Sequence, residues 1–322
     1  MPTAEQLKSL IRAHFGRDGE RFLTVALQVA AHEAQQGHGA LAHEIRDLID
    51  KARKDIRLTE VRLPQDLRGL VLSEESKAPK ASLVVPVELG KRVERIIHEY
   101  RQQHKLRNYG LSHRRKVLLI GPPGTGKTMT ARVLAHELKL SLHTVQVDKL
   151  VTKFMGETSA KLRQIFDLIQ QQPGVYFFDE FDAIGGERTL DNDVGEMRRV
   201  LNAFLQFIEQ DASDSVIIAA TNSPKILDRA LFRRFDDVLY YELPSEVNRK
   251  VLIQNVLGSY LAPGFTWKAV LSDCNGLSHA EIDQACRDAT KQAILTDKVK
   301  VSPDLMRQML KERQAARQGQ NR

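Results

Sequence analysis

The chain has 322 residues, 42% of them apolar and 28% charged, with a formal net charge of +7. That balance is globular rather than disordered, and the length suits two or three domains. No apolar run approaches the ~18 residues of a membrane span. Glu5, Asp18 and Glu20 make the N-terminus too acidic for a transit peptide, so a cytoplasmic protein is expected. Cys274 and Cys286 have neither CxxC spacing nor histidines clustered beside them, which argues against a zinc site or redox pair. His-Glu pairs at His32, His43, His98 and His136 are followed four residues on by Gln36, Asp47, Gln102 and Leu140, so no HExxH zinc site can form.

In chain order, residues 1–56 carry apolar positions at helical spacing (Leu7, Leu10, Ile11; Phe22, Val25, Ala26, Val29; Leu41, Ile45, Leu48, Ile49), broken by glycines, and predict a small helical domain. The polar stretch 57–82, with Pro64, Pro79 and SEESKAPK, reads as a linker. Residues 83–243 alternate helical segments with short apolar runs: KVLLI, LHTVQV, VYFF, VIIAA and DVLYY. Such runs predict a doubly wound α/β domain around a parallel sheet of five strands. Residues 244–322 read as helices only, a smaller helical lid subdomain.

GPPGTGKT follows the first run directly and opens a helical segment, so strand, loop and helix occur in the order a phosphate-binding loop needs. Backbone N–H groups from Gly124 to Met129, through Thr125 and Gly126, can wrap phosphates, with Pro123, which has no N–H, shaping the turn beside them. Lys127 can reach the β- and γ-phosphates, and Thr128 can hold Mg2+. The third run ends in FFDEFDAIG. On a strand neighbouring the loop, Asp179 would orient the Mg2+ ligands through water and Glu180 would polarise water for in-line attack. Asn222, ending the fourth run, is placed to position that water.

These segments, with KFMGE, LDRALFRRFD and GLSHAEID, give a chain that resembles an AAA ATPase of the clade including FtsH, katanin and spastin, over Leu83 to Ala289. The resemblance implies a ring, usually a hexamer, with ATP at the seam between subunits. An arginine of the ALFRRFD segment, Arg233 or Arg234, then reaches the neighbour's nucleotide. In GLSHAEID, Ser278 and Glu281 form a capping box that starts a lid helix. Relatives usually have GxSGAD here, so His279 replaces a small residue beside the nucleotide.

KFMG places Lys153, Phe154 and Met155 in a loop between a strand and an amphipathic helix. In the family that loop lines the pore, where an aromatic-apolar pair would grip an unfolded polypeptide; a core role for Phe154 is the alternative. The resemblance thus implies remodelling or unfolding of a protein client. A nucleic-acid motor or helicase loader is the rival, resting on the net charge, notably KLRNYGLSHRRK and the basic tail after Met309. Against it, five residues between Gln210 and Val216 leave no room for an inserted hairpin, and KFMG lacks a basic pair. A scaffold with a dead site ranks below both, because the charged site residues are all present. The N-terminal unit and the lead-in LVVPVELGKRVERIIHEY to LRNYG further resemble bacterial ATPases of the IetA kind, which are paired with subtilisin-like serine proteases and linked to plasmid competition and phage defence.

Overall fold

The computed structural model describes residues 8–9, 19–57, 65–150, 155–181, 191–223 and 232–320. The chain divides into two compact units, Met1–Arg62 and Leu63–Arg322. In the first, helices α1 (Gly19–Gln35) and α2 (Gly39–Arg57) form a hairpin in which Val25, Val29, Ala30, Ala42 and Ile49 are buried. Gly37, at φ +84°, turns the chain between them.

The second unit begins with strand β1 (Val71–Glu74), helices α3 (Val87–Arg101) and α4 (Gln103–Asn108), and strand β2 (Lys116–Ile120). Helix α5 (Lys127–Leu138), strand β3 (Leu142–Gln146), helices α6 (Val147–Leu150) and α7 (Met155–Gln171), and strand β4 (Val175–Asp179) follow. Helix α8 (Asp191–Gln210) leads to strands β5 (Val216–Thr221) and β6 (Asp237–Tyr240). The last four helices are α9 (Glu246–Leu257), α10 (Trp267–Asp273), α11 (His279–Leu295) and α12 (Pro303–Gln320).

The sheet order is β1-β3-β4-β5-β2-β6, with every pairing parallel except β1 against β3. The five expected apolar runs are five of its strands, and the doubly wound α/β architecture holds. Alternate side chains feed two cores. Leu118, Ile120, Tyr176, Phe178, Ile217 and Ala219 pack towards α7 and α8. Val117, Leu119, Val175, Phe177, Val216 and Ile218 pack towards α3 and α5. This is the period-2 alternation of strands buried on both faces.

The sixth strand corrects the expected count. It lies in the stretch expected as a linker, where β1 adds an antiparallel edge. Val71 is its one buried residue, and Ser73 Oγ meets Nδ1 of the buried His143 at 2.8 Å, fastening β1 to β3. A third core, with Leu252, Ile253, Val270, Ile282, Val301 and Met306, holds the four C-terminal helices together, and both cysteines are buried free thiols within it.

Candidate active site

The loop Gly121–Gly126 joins β2 to α5, and its shape is forced by close packing. A Cβ on Gly121 would lie 2.3 Å from the Tyr241 carbonyl oxygen, and Gly124, at φ +72°, would bring one within 2.7 Å of Ser278 Oγ. Only glycine fits either position without displacement. Thr125 turns its side chain into the loop, donating to the Pro122 carbonyl at 2.7 Å, so its hydroxyl braces the loop rather than facing the cavity.

Lys127 is buried, and its Nζ donates to the carbonyls of Gly121 at 2.6 Å and Pro122 at 2.9 Å and to Asn222 Oδ1 at 2.8 Å. Strand β5 lies between β2 and β4, which corrects the expectation that the acidic pair sits on the strand next to the loop. Asn222, at the end of β5, bridges that interval. Thr128 Oγ1 donates to Asp179 Oδ2 at 3.3 Å. A hydroxyl and a carboxylate side by side at a helix start form a hard oxygen donor set that suits Mg2+, which keeps much of its water and binds the rest of its shell through phosphates. Glu180 is exposed in the left-handed region at φ +51°, and its N–H donates to Asp179 Oδ1 at 2.9 Å. A non-glycine residue held there is strained, as functional residues often are.

The lid meets this loop directly. Ser278 caps α11: its Oγ accepts from the Glu281 N–H at 3.4 Å while Glu281 Oε2 accepts from the Ser278 N–H at 2.6 Å. One residue into the helix, the Ala280 N–H donates to the Gly124 carbonyl at 3.0 Å. A cavity of about 1200 Å³ opens between loop and lid. Lys127, Thr128, Asp179, Glu180 and Asn222 line its polar part, with Pro123, Gly124, Gly126 and Met129 of the loop, and Leu83, Val84, Leu252, Val256 and Ala280 supply apolar lining.

His279 lines the cavity too, with both ring nitrogens buried and, among the described residues, no partner at full hydrogen-bonding geometry. Burial holds its pKa below the ordinary histidine value, and the nearby Val84 backbone opposes that shift in part.

Of the residues singled out from sequence, Arg233 and Arg234 do not line this cavity. Arg233 is exposed, whereas Arg234 Nε donates to Glu209 Oε2 at 3.2 Å. Lys153 and Phe154 lie outside the described residues; Met155, expected in the loop, is instead the first residue of α7. Sequence reasoning missed Leu252, Val256 and Tyr260, generic residues of a helix and the turn after it. It also missed Ala81 and Ser82, whose place behind the LVVP run was the available signal.

A phosphate-binding loop on a doubly wound sheet, facing a carboxylate pair and roofed by a helical lid, is the architecture of the P-loop nucleotide-binding fold. The chain belongs to the AAA ATPase family: residues 117–243 match the model of the ATPase family associated with various cellular activities. Over its whole length it is 31% identical to the AAA family ATPase y4kL of Sinorhizobium fredii, covering 98% of that protein. It is 32% identical to a protein of Methanothermobacter thermautotrophicus described as a 26S proteasome regulatory subunit homolog, over 63% of this chain and 56% of that one. A protein of Plasmodium falciparum described as a cell division cycle ATPase is 32% identical over 62% of this chain and 17% of its own length. ATP is the nucleotide the family implies, normally with Mg2+. Among the described residues, no helix is long and apolar enough to cross a membrane.

Proposed function

We propose that the chain works as a ring, of the hexameric kind usual in the family, that couples ATP hydrolysis to remodelling or unfolding of a protein client. The observation that carries this reading is the absence of Arg233 and Arg234 from the lining of their own chain's cavity. Groups for binding phosphate and activating water meet there, and the cation expected to neutralise the transition state is held elsewhere on the surface. A second copy can supply it. In each site Lys127 holds the phosphates, and Mg2+ beside Thr128 and Asp179 would neutralise charge on them. Glu180 takes a proton from the attacking water as the water oxygen bonds to the terminal phosphorus and the bond from that phosphorus to the bridging oxygen breaks, releasing phosphate and ADP, with Asn222 positioning that water.

A protein client is favoured by the similarity to a proteasome regulatory subunit homolog. The nucleic-acid reading loses its support in KLRNYGLSHRRK, because three of its cations are neutralised within the chain: Arg107 by Asp214, Arg114 by Glu99 and Arg115 by Asp211. Lys116 is half-buried, with its pKa lowered by desolvation first. A separate partner, of the subtilisin-like protease kind suggested by the lead-in and the N-terminal helices, would set the outcome for the client.

The test separates binding from turnover. Glu180→Gln should bind ATP, assemble in its presence and not hydrolyse it; Lys127→Ala should neither bind ATP nor assemble. Analytical ultracentrifugation giving one oligomer for both variants with ATP would count against this division of roles.

A further inference from the structure

His279 is a polar group of the cavity that takes no part in the hydrolytic chemistry. Both its ring nitrogens are buried, and among the described residues neither has a partner at full hydrogen-bonding geometry. Its backbone is fixed on both sides: Ser278 caps α11, and the Ala280 N–H donates to the Gly124 carbonyl at 3.0 Å. The ring shares the cavity with Leu83, Val84, Leu252 and Val256, whereas Lys127, Thr128, Asp179, Glu180 and Asn222 line its polar part. Phosphates laid on the loop therefore leave the apolar part, with the imidazole, to the base. A buried nitrogen without a partner costs stability until a ligand completes it.

Val84 decides which kind of group can do so. It is buried in the lid core, and the stretch before it is held by Asn255, whose Nδ2 donates to the Ala81 carbonyl at 3.4 Å. Burial holds the ring in its neutral form, and the Val84 backbone acts in the opposite sense, as a carbonyl does when it attracts a ring N–H. A neutral imidazole carries one N–H and one lone-pair nitrogen. With the N–H turned to Val84, the other nitrogen is an acceptor.

We propose that His279 selects the base: its acceptor nitrogen receives a hydrogen bond from the 6-amino group of adenine and disfavours 6-oxo purines, whose oxygen would face it lone pair to lone pair. This rests on reading the cavity as a nucleotide site. A site built around one hydrogen bond discriminates because the wrong base leaves the buried acceptor unpaired.

Isothermal titration of the full-length chain with ADP, IDP and purine riboside diphosphate, which lacks a 6-substituent, tests this without turnover. The parent should bind ADP at least about tenfold more tightly than either analogue. His279→Phe keeps a ring and removes the acceptor, so it should bind all three alike, near the analogues' affinity for the parent. His279→Asn, whose amide oxygen is an acceptor, should recover part of the preference. Inorganic triphosphate, which has no base, should bind the parent and both variants equally. A preference for ADP undiminished in His279→Phe would overturn the assignment, as would IDP binding the parent as tightly as ADP. A parent that binds neither ADP nor inorganic triphosphate would overturn the nucleotide site itself and this assignment with it.

Discussion

Gly124→Ala tests whether the lid is docked on the phosphate loop. At φ +72° the new side chain sits in the left-handed region, which costs about 1–2 kcal/mol. Its Cβ would also lie 2.7 Å from Ser278 Oγ and 3.1 Å from Ala280 Cβ, so the start of α11 has to move. That movement loses the Ala280–Gly124 backbone bond, about 0.5–1.5 kcal/mol, and disturbs the Ser278 cap, about 1 kcal/mol. If the ATP-bound state needs the docked lid, ATP affinity falls by the sum, roughly 10- to 70-fold at 1.4 kcal/mol per decade. Gly110→Ala is the matched control: its φ is +71° and nothing lies within 4 Å of the added Cβ, so it carries the backbone strain alone. Both variants should lose a few degrees of melting temperature. Isothermal titration with ATP should separate them, with only Gly124→Ala weakened. Equal ATP affinity in the two variants would refute the docking argument.

Two further outcomes follow from single residues. His143 is buried beneath β1, stacked on Tyr176 at 4.6 Å, and desolvation lowers its pKa to about 4. The unfolded chain therefore binds more protons than the folded one between roughly pH 6.5 and 4, and stability should fall across that window as pH falls, by about 3 kcal/mol in all. Urea unfolding at several pH values checks this, and His143→Phe should flatten the curve; an unchanged slope would mean that the ring is not the group responsible. Phe154→Ala separates gripping from packing. A pore role leaves melting temperature and basal ATP turnover near the parent while unfolding of a tagged client is lost, whereas a core role costs roughly 3–5 kcal/mol and lowers stability and turnover together.

The parallel strands were legible because burial on both faces makes them continuous apolar runs, and VYFF or VIIAA admits few other readings. Strand β1 was hidden by the opposite condition: an edge strand with one buried residue, Val71, shows only the three apolar residues Leu70 to Leu72 before the chain turns polar. At the site, the loop, the acidic pair and the Ser278–Glu281 cap were legible because each is a local pattern with a local chemical reason. The neutralisation of the basic stretch was not, since Arg107 and Arg115 find their carboxylates 107 and 96 residues away. The difference between Arg233 and Arg234 likewise depends on Glu209, which only the fold brings near.

Mixing two inactive variants tests the shared site most directly. The chain carrying both Arg233→Ala and Arg234→Ala keeps Glu180, and the Glu180→Gln chain keeps both arginines. Combined under conditions where mixed rings are shown to form, they should regain part of the parent ATP turnover, because some seams then hold both groups. No turnover above that of the separate variants would contradict a site completed by the neighbouring subunit.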